Sequence, residues 1–291
     1  MRHVAVVTTC NAEGYERYGR RMIESVDRHF PDDVAMFVYA EGFVPEIPSP
    51  RVVPVDLLEA CPDLVAFKHR HRDNPRARGK ELRGKRPFIR VKWHKNGSRL
   101  PRVKLKWIDW GVGYRWDAVR FSHKCFAIFD AARRCGADVL CWLDADVLVF
   151  EDIPRAFLEG LVPADCLLGF LKRPGCSECG LVAYNLRHPA IDEFLATFRT
   201  LYTHDSLFRE REYHDSWLFD VVRRRFEKRR HKTHDIAGGL GTRAGHVFIN
   251  SPLGRYMDHM KGGRWAAGSS SVDDLIIARP EPYWELLNGR P

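Results

Sequence analysis

The sequence predicts an α/β fold: a mixed, mostly parallel central sheet flanked by helices. Three observations predict it. Apolar, β-branched runs alternate with segments of helical spacing through the first half of the chain. The run "ADVLCWL" (137–143) shows little alternation, as a strand covered on both faces should. And 45% of the 291 residues are hydrophobic, enough for a full core.

The elements follow in order. "HVAVVTT" is a β-rich run. "AEGYERYGRRMIESVDRHF" places Tyr15, Tyr18, Met22, Ile23 and Val26 at helical spacing. "VAMFVYA" is a second strand, ended by Glu41-Gly42, and "RVVPVDL" a short third. A basic segment, 68–113, then interrupts, and its Pro, Gly and Asn residues predict irregular backbone. Helical spacing resumes in "WDAVRFSHKCFAIFDAARRCG" and stops at Gly136. After "ADVLCWL", "VLVF" resumes as an apolar strand. "DCLLGFL", "CGLVAYN" and "VFIN" read as strands, "HPAIDEFLATFRTLYTHD" and "HDSWLFDVVRRRFEK" as helices. With no internal repeat and no low-complexity linker, one domain over 1–291 is expected, the basic insertion at 68–113 and the later segments at 114–265 included.

Composition excludes several classes. No apolar stretch approaches the ~20 residues of a membrane-spanning helix, and the start, "MRHVAVVTTCNAEGY", lacks the pattern of a signal peptide. Eight scattered cysteines, some inside apolar runs (Cys141, Cys166), read as reduced thiols. The expected compartment is therefore the cytoplasm, of a bacterium or of a phage-infected host. Cys176 and Cys179 have a metal-type spacing, but no second pair follows, which argues against structural zinc. The net charge of +9 is uneven: between Lys68 and Lys106 lie 16 Lys or Arg against Asp73 and Glu81, which leaves the remainder slightly acidic. Such a run is commonly a solvated surface. Interleaved with Phe88, Trp93, Trp107 and Trp110, it also fits a polyanion-binding segment, or aromatics that dock the insertion itself.

The stretch "CWLDADVLVF" sets Asp144 and Asp146 into an apolar run. Buried unpaired, two acids would cost several kcal/mol, more than ~3 at least. They fall where a strand leaves the core, and a period of two points them the same way. Ligands of open α/β sheets collect beyond such carboxyl ends. Two same-facing carboxylates repel unless a cation sits between them, and hard oxygen ligands select Mg²⁺ or Mn²⁺. Two acids capping a strand in solvent is the plainer alternative, disfavoured by the apolar flanks.

Asp144-Ala145-Asp146 at a strand end, about twenty residues after Lys124, resembles the DxD site of nucleotide-sugar glycosyltransferases of the GT-A fold. "VAVVTTCN", "SECGLVAYN", "YHDSWLFD" and "YMDHMKGGRW" are similar to that family's nucleotide-seating, acceptor-side, acidic-turn and closing segments, in order over 3–265. The resemblance lapses over 68–113. It implies a nucleotide-sugar donor, a UDP sugar such as UDP-glucose being expected, with Asp146 on the metal and Asp144 on it through water or on sugar hydroxyls. It implies His259 as a further metal ligand, with His246 the rival. Lys261, Gly262 and Arg264 would face the diphosphate, and Lys124 would reach it from the helix side, unless that lysine is merely solvated. Thr8, Thr9 and Asn11 are expected to line the nucleotide pocket, with Tyr15 or Tyr39 stacking on the base. A general base is required for direct attack by an acceptor hydroxyl. Asp215 is the first candidate, though an Asp near a helix start also serves as an ordinary N-cap, and Glu178 is the second.

The expected activity is metal-dependent transfer of a hexosyl or pentosyl group to an acceptor hydroxyl. The basic segment points to a polyanionic acceptor, hydroxymethylated pyrimidines in phage-type DNA being the first candidate. Glycan, lipid-linked and protein acceptors are alternatives, and the charge also suits an anionic lipid interface. A catalytically silent nucleic-acid-binding protein is a second class. A nucleotidyltransferase is a third, disfavoured because "TTCNAEGYER" has one glycine.

Overall fold

The computed structural model describes residues 1–92, 102–240 and 246–288. Its main sheet has seven strands: β1 (Val4–Asn11), β2 (Ala35–Glu41), β3 (Val52–Asp56), β6 (Val139–Leu143), β8 (Leu168–Leu171), β9 (Glu178–Asn185) and β10 (Thr233–Asp235). The spatial order is β10-β8-β9-β6-β1-β2-β3. β1 pairs in parallel with β2 and β6, β2 with β3, and β10 with β8. Only β9 runs against its neighbours, β6 and β8. The sheet is thus mixed and mostly parallel, as the sequence predicts.

Strand alternation builds two cores, one on each face. Ala5, Val7, Phe37, Tyr39, Leu140, Trp142, Val182 and Tyr184 belong to one. It is covered by the helices Pro62–Arg70, Ala118–Arg134, Ile191–Thr203 and Asp215–Lys228. Val4, Val6, Met36, Val38, Cys141, Leu143, Leu181 and Ala183 belong to the other, covered by the helix Arg20–His29 and the C-terminal segments. Along β6 every position belongs to one core or the other, which explains the weak alternation of "ADVLCWL". The Ala118–Arg134 helix begins where Asp117 accepts a hydrogen bond from the Arg120 amide (3.0 Å) and ends before Gly136 at φ +62°. All eight cysteines are free thiols, Cys141 and Cys166 buried. Burial pushes the Cys141 thiol up to about 12, which makes it inert.

Two expectations are corrected. The basic segment contains regular structure: β4 (Arg78–Lys92) and β5 (Arg102–Asp117) form an antiparallel ribbon. Gly79 and Gly84 lie at the register shifts between Arg78 and Gly84, whereas Pro87 stands in regular register opposite Trp107. The ribbon is fastened at its base. Trp110 packs edge-on against Trp116, Trp116 Nε1 donates to the Arg211 carbonyl (3.0 Å), and Arg83 donates to the Tyr213 hydroxyl (2.8 Å). Trp93 lies outside the described residues. Second, "VFIN" is a short helix, Val247–Asn250. A four-residue apolar run cannot by itself distinguish the two states. "VLVF" is a strand as expected, but one outside the main sheet. Val147–Val149 (β7) turns away and pairs antiparallel with Met257–His259 (β11). Among the described residues no helix is long and apolar enough to cross a membrane.

Candidate functional site

β6 ends at Leu143, at the carboxyl edge of the parallel block. The Asp144 amide still donates to the Gly180 carbonyl (2.9 Å), and the Val147 amide closes a turn onto the Asp144 carbonyl (3.1 Å). The turn, rather than continued strand alternation, brings the two carboxylates together. β7 then pairs with β11 so that Val147 faces His259, and the Met260 amide donates to the Asp146 carbonyl (3.0 Å). This ladder carries the imidazole to the acids. His259 Nε2 lies 3.1 Å from Asp146 Oδ1 and 3.5 Å from Asp144 Oδ2. One ligand atom each from Asp144, Asp146 and His259 lies within 4.8 Å of the others.

The surroundings fit a divalent cation. His259 is buried, with Nε2 turned to the acids and Nδ1 toward Glu178 Oε1 at 3.6 Å, where Nδ1 has no hydrogen-bond partner. A ligating histidine commonly turns its second N–H to a carboxylate in this way. Gly180 makes room for the ring: a Cβ there would meet His259 at 2.4 Å. Burial opposes charge on His259, yet the Asp146 and then the Asp144 carboxylates outweigh it and hold the pKa raised. His246, the rival ligand, does not face the acids. Its Nε2 donates to the His259 carbonyl (2.8 Å), and burial, then His259, push its pKa down to about 4. It is a neutral prop for the strand that carries His259. Among the described residues no His/Cys cluster forms around Cys176 and Cys179.

Lys124 is not a solvated helix lysine. It is buried, 2.8 Å from Asp144 Oδ1 and 2.8 Å from Asp215 Oδ2, and donates to the Cys179 carbonyl at 2.6 Å. Burial opposes its charge, but Asp144 and then Asp215 outweigh that and raise its pKa. Asp144 is held below its ordinary range, burial being overcome by Lys124 and then His259. Trp142 Nε1 adds a hydrogen bond to Asp144 Oδ1 (2.6 Å), and the ammonium lies 4.7 Å from the Trp142 ring centroid. Sequence reasoning missed Trp142, although its position two residues before Asp144 marks the same strand face.

Two clefts meet at this cluster, sharing Arg120, Phe121, Lys124, Asp144 and Asp146. The smaller, about 520 Å³, lies at the end of β1 and is lined by Thr9, Asn11, Arg17, Tyr18 and Glu41, among others. The larger, about 1020 Å³, is lined by Tyr114, Arg115, Arg173, Glu178, Asp215 and Lys261, among others. Asp215 begins the helix Asp215–Lys228 with His214 as N-cap, and His214 in turn pairs with Glu212 (3.0 Å). Glu178 pairs with Arg173 Nη1 (3.0 Å) and with the Lys261 ammonium. Burial, then the Arg173 guanidinium, push the Lys261 pKa down to about 7. Gly262, at φ +60°, lets the chain turn beside Lys261 along the same cleft. The loop before Glu178 is fixed from behind: the Ser177 amide and hydroxyl both donate to Asp220, at 3.1 and 2.6 Å.

Four expected residues stand elsewhere. Tyr39 is fully buried in the helix-covered core, its hydroxyl donating to Asp130 (2.7 Å), and so does not reach a bound base. Tyr15 is buried against Phe43; Tyr18, one helical turn on, lines the cleft instead. Thr8 is fully buried, pointing away from the cleft that Thr9 lines. Arg264 is tied to Asp274 through Nε (2.9 Å) and does not line either cleft. For Tyr39, Tyr15 and Thr8 strand or helix phase sets the direction, whereas Arg264 is drawn away by Asp274. Gly180 and His214 lie within "SECGLVAYN" and "YHDSWLFD" but were not singled out there as site residues, and Arg173 carried no sequence signal.

No family model matches the chain, and no curated protein matches it. Similar solved structures include the apo glycosyltransferase GlyE of Streptococcus pneumoniae TIGR4, at 13% identity and TM-score 0.40, covering 80% of this chain and 45% of that one. They include mouse xyloside xylosyltransferase 1, at 11% and 0.42, covering 80% and 84%. The galactosyltransferase LgtC, in complex with donor and acceptor sugar analogs, matches at 14% and 0.39, covering 74% and 69%. This chain thus spans less than half the length of the GlyE structure. Likenesses this loose leave the chemistry to be argued from the residues of the site.

Proposed function

We propose that this chain is a metal-dependent glycosyltransferase that moves a sugar from a nucleoside diphosphate to an acceptor hydroxyl. The observation that carries the reading is the meeting of Asp144, Asp146 and His259 at the seam of two clefts. A reaction that joins two substrates needs two adjoining pockets with the reacting centre between them. An Asp-Asp-His set of oxygen and imidazole donors suits Mn²⁺ or Mg²⁺. When bound, such an ion supplies Lewis-acid stabilisation of a leaving diphosphate.

The chain's own residues divide the remaining work. The nucleoside half of the donor, a UDP sugar in this reading, occupies the smaller cleft along Thr9, Asn11 and Tyr18, with Glu41 at its far wall. Asp146 and His259 would hold the cation directly. Asp144, already committed to Lys124 and Trp142 through Oδ1, keeps Oδ2 for the cation or its water. Lys261 leaves Glu178 for the diphosphate as the donor enters and offsets its charge. Asp215 takes the acceptor proton: it lines the acceptor cleft, with Oδ2 paired to Lys124 and Oδ1 4.0 Å from His214 Nδ1. Glu178, clamped by Arg173 and Lys261, serves instead to orient His259.

Basic and acidic side chains nearly balance along the acceptor cleft, Arg173 pairing with Glu178 and Arg115 and Arg211 with Glu212, so the case for an acceptor that is anionic, or carried on an anionic surface, rests on the basic segment 68–113 beside it. Hydroxymethylated DNA and a lipid-linked sugar are both of that kind. Incubating the protein with Mn²⁺, a panel of nucleotide sugars and each acceptor in turn, then weighing the products by mass spectrometry, tests the assignment. A hexose- or pentose-sized gain on one acceptor identifies it; free nucleotide release from no donor would sink the reading.

A further inference from the structure

We propose that the β4–β5 ribbon is an arm that docks on an anionic lipid surface. Along β5, Val103, Leu105 and Trp107 are exposed at 61%, 60% and 62%. They stand at alternate positions and therefore share one face. In register across the ribbon they meet Val91, Ile89 and Pro87. Residues directly opposite in an antiparallel pair lie on the same face. Pro87 is exposed beside Trp107, and Ile89 and Val91 hold the register positions opposite Leu105 and Val103. The register pairs that alternate with these are Lys92 with Arg102, Arg90 with Lys104, Phe88 with Lys106 and Arg86 with Ile108. Six of those eight positions are Lys or Arg.

A ribbon with one apolar and one basic face is matched to a particular kind of surface. A nucleic acid would reward the basic face and leave Val103, Leu105 and Trp107 in water. A second copy of the chain would cover the apolar face but set two strongly basic ribbons side by side. A bilayer rich in anionic lipid satisfies both at once. The apolar face enters the headgroup boundary, Trp107 sits at the level where tryptophan is favoured, and Lys and Arg stems reach back to the phosphates. β5 also ends at the acceptor cleft, where Tyr114 and Arg115 form part of the wall. Docking would therefore bring that cleft to the surface from which a lipid-linked acceptor is presented. Membrane binding itself does not depend on the sugar-transfer reading.

The test is sedimentation of the full chain with vesicles of phosphatidylcholine alone or with phosphatidylglycerol added. Binding is expected only with the anionic lipid. The variant Leu105→Ser/Trp107→Ser should bind such vesicles more than tenfold more weakly, with the wild-type melting temperature, since both residues are exposed. Lys104→Gln should weaken binding by about fivefold, the effect of roughly one surface charge. Unchanged binding by the double variant would overturn the proposal. So would binding to duplex DNA but not to vesicles, or a wild-type dimer that the double variant abolishes. Loss of sugar transfer with vesicle binding intact would refute the enzymatic reading alone.

Discussion

Replacing Lys124 by methionine probes the electrostatics of the site with little change of shape. The ammonium lies between Asp144 and Asp215, 2.8 Å from each, and all three side chains are mostly buried. Removing one partner of a buried ion pair costs about 3–5 kcal/mol, because the remaining charge stays buried and unpaired. At ~2.1 cal/mol/K per residue, a chain of 291 residues has an unfolding entropy of about 0.6 kcal/mol/K, so the melting temperature should fall by ~5–8 °C. The assay is differential scanning calorimetry in EDTA and again in saturating Mn²⁺. A cation beside Asp144 takes over part of the missing charge, so the deficit should shrink in Mn²⁺, and the metal-induced shift should exceed that of the wild type. A variant melting within about 1 °C of wild type in EDTA would refute the argument that Lys124 holds the two acids together.

Three further outcomes follow from particular contacts. Gly180→Ala drives a Cβ to 2.4 Å from the His259 ring; an overpacking cost of ~1–3 kcal/mol and at least a tenfold weaker Mn²⁺ affinity by calorimetry are expected, and unaltered affinity would contradict the placement of that ring. His123, and after it Lys68, hold Glu41 down to about 2, against the raising effect of burial. The unfolded chain binds that proton more readily, so the contribution, about 3 kcal/mol at 1.36 kcal/mol per pH unit, is present above pH ~4.5 and lost as pH falls toward 2. The stability gap between wild type and Glu41→Gln in urea should therefore close between pH 5 and pH 2, and a constant gap would count against the pair. Asp215→Asn should lower kcat by about 10²–10⁴-fold, the usual range for a lost proton acceptor, with donor KM nearly unchanged; a rise in donor KM alone would place Asp215 in donor binding instead.

The sheet was legible because its strands are short apolar runs bounded by turn residues, and β1, β2, β3, β6 and β9 fall within a few residues of where the pattern sets them. The acid pair was legible because two carboxylates in an apolar run demand a cation. What was not legible depended on phase and on distant partners. Tyr39 and Tyr18 differ only in which way a strand or helix turns them. Lys124 looks in sequence like any helix lysine, and only the approach of Asp144 and Asp215 makes it a buried cation. The ribbon was hidden by its own charge. "RVKLKW" alternates perfectly between basic and apolar residues, but the density of Lys and Arg drew the reading toward irregular surface backbone.

The central claim is a cation-dependent donor site built on Asp144, Asp146 and His259. It is tested most directly by nucleoside diphosphate release from a panel of nucleotide sugars, by wild type and Asp146→Asn, with Mn²⁺ and with EDTA. Release by the wild type in Mn²⁺, abolished by EDTA and lowered by at least about 10²-fold in the variant, as expected when a group stabilising the leaving charge is lost, is the predicted result. Equal release by wild type and variant, or release undiminished in EDTA, would contradict it.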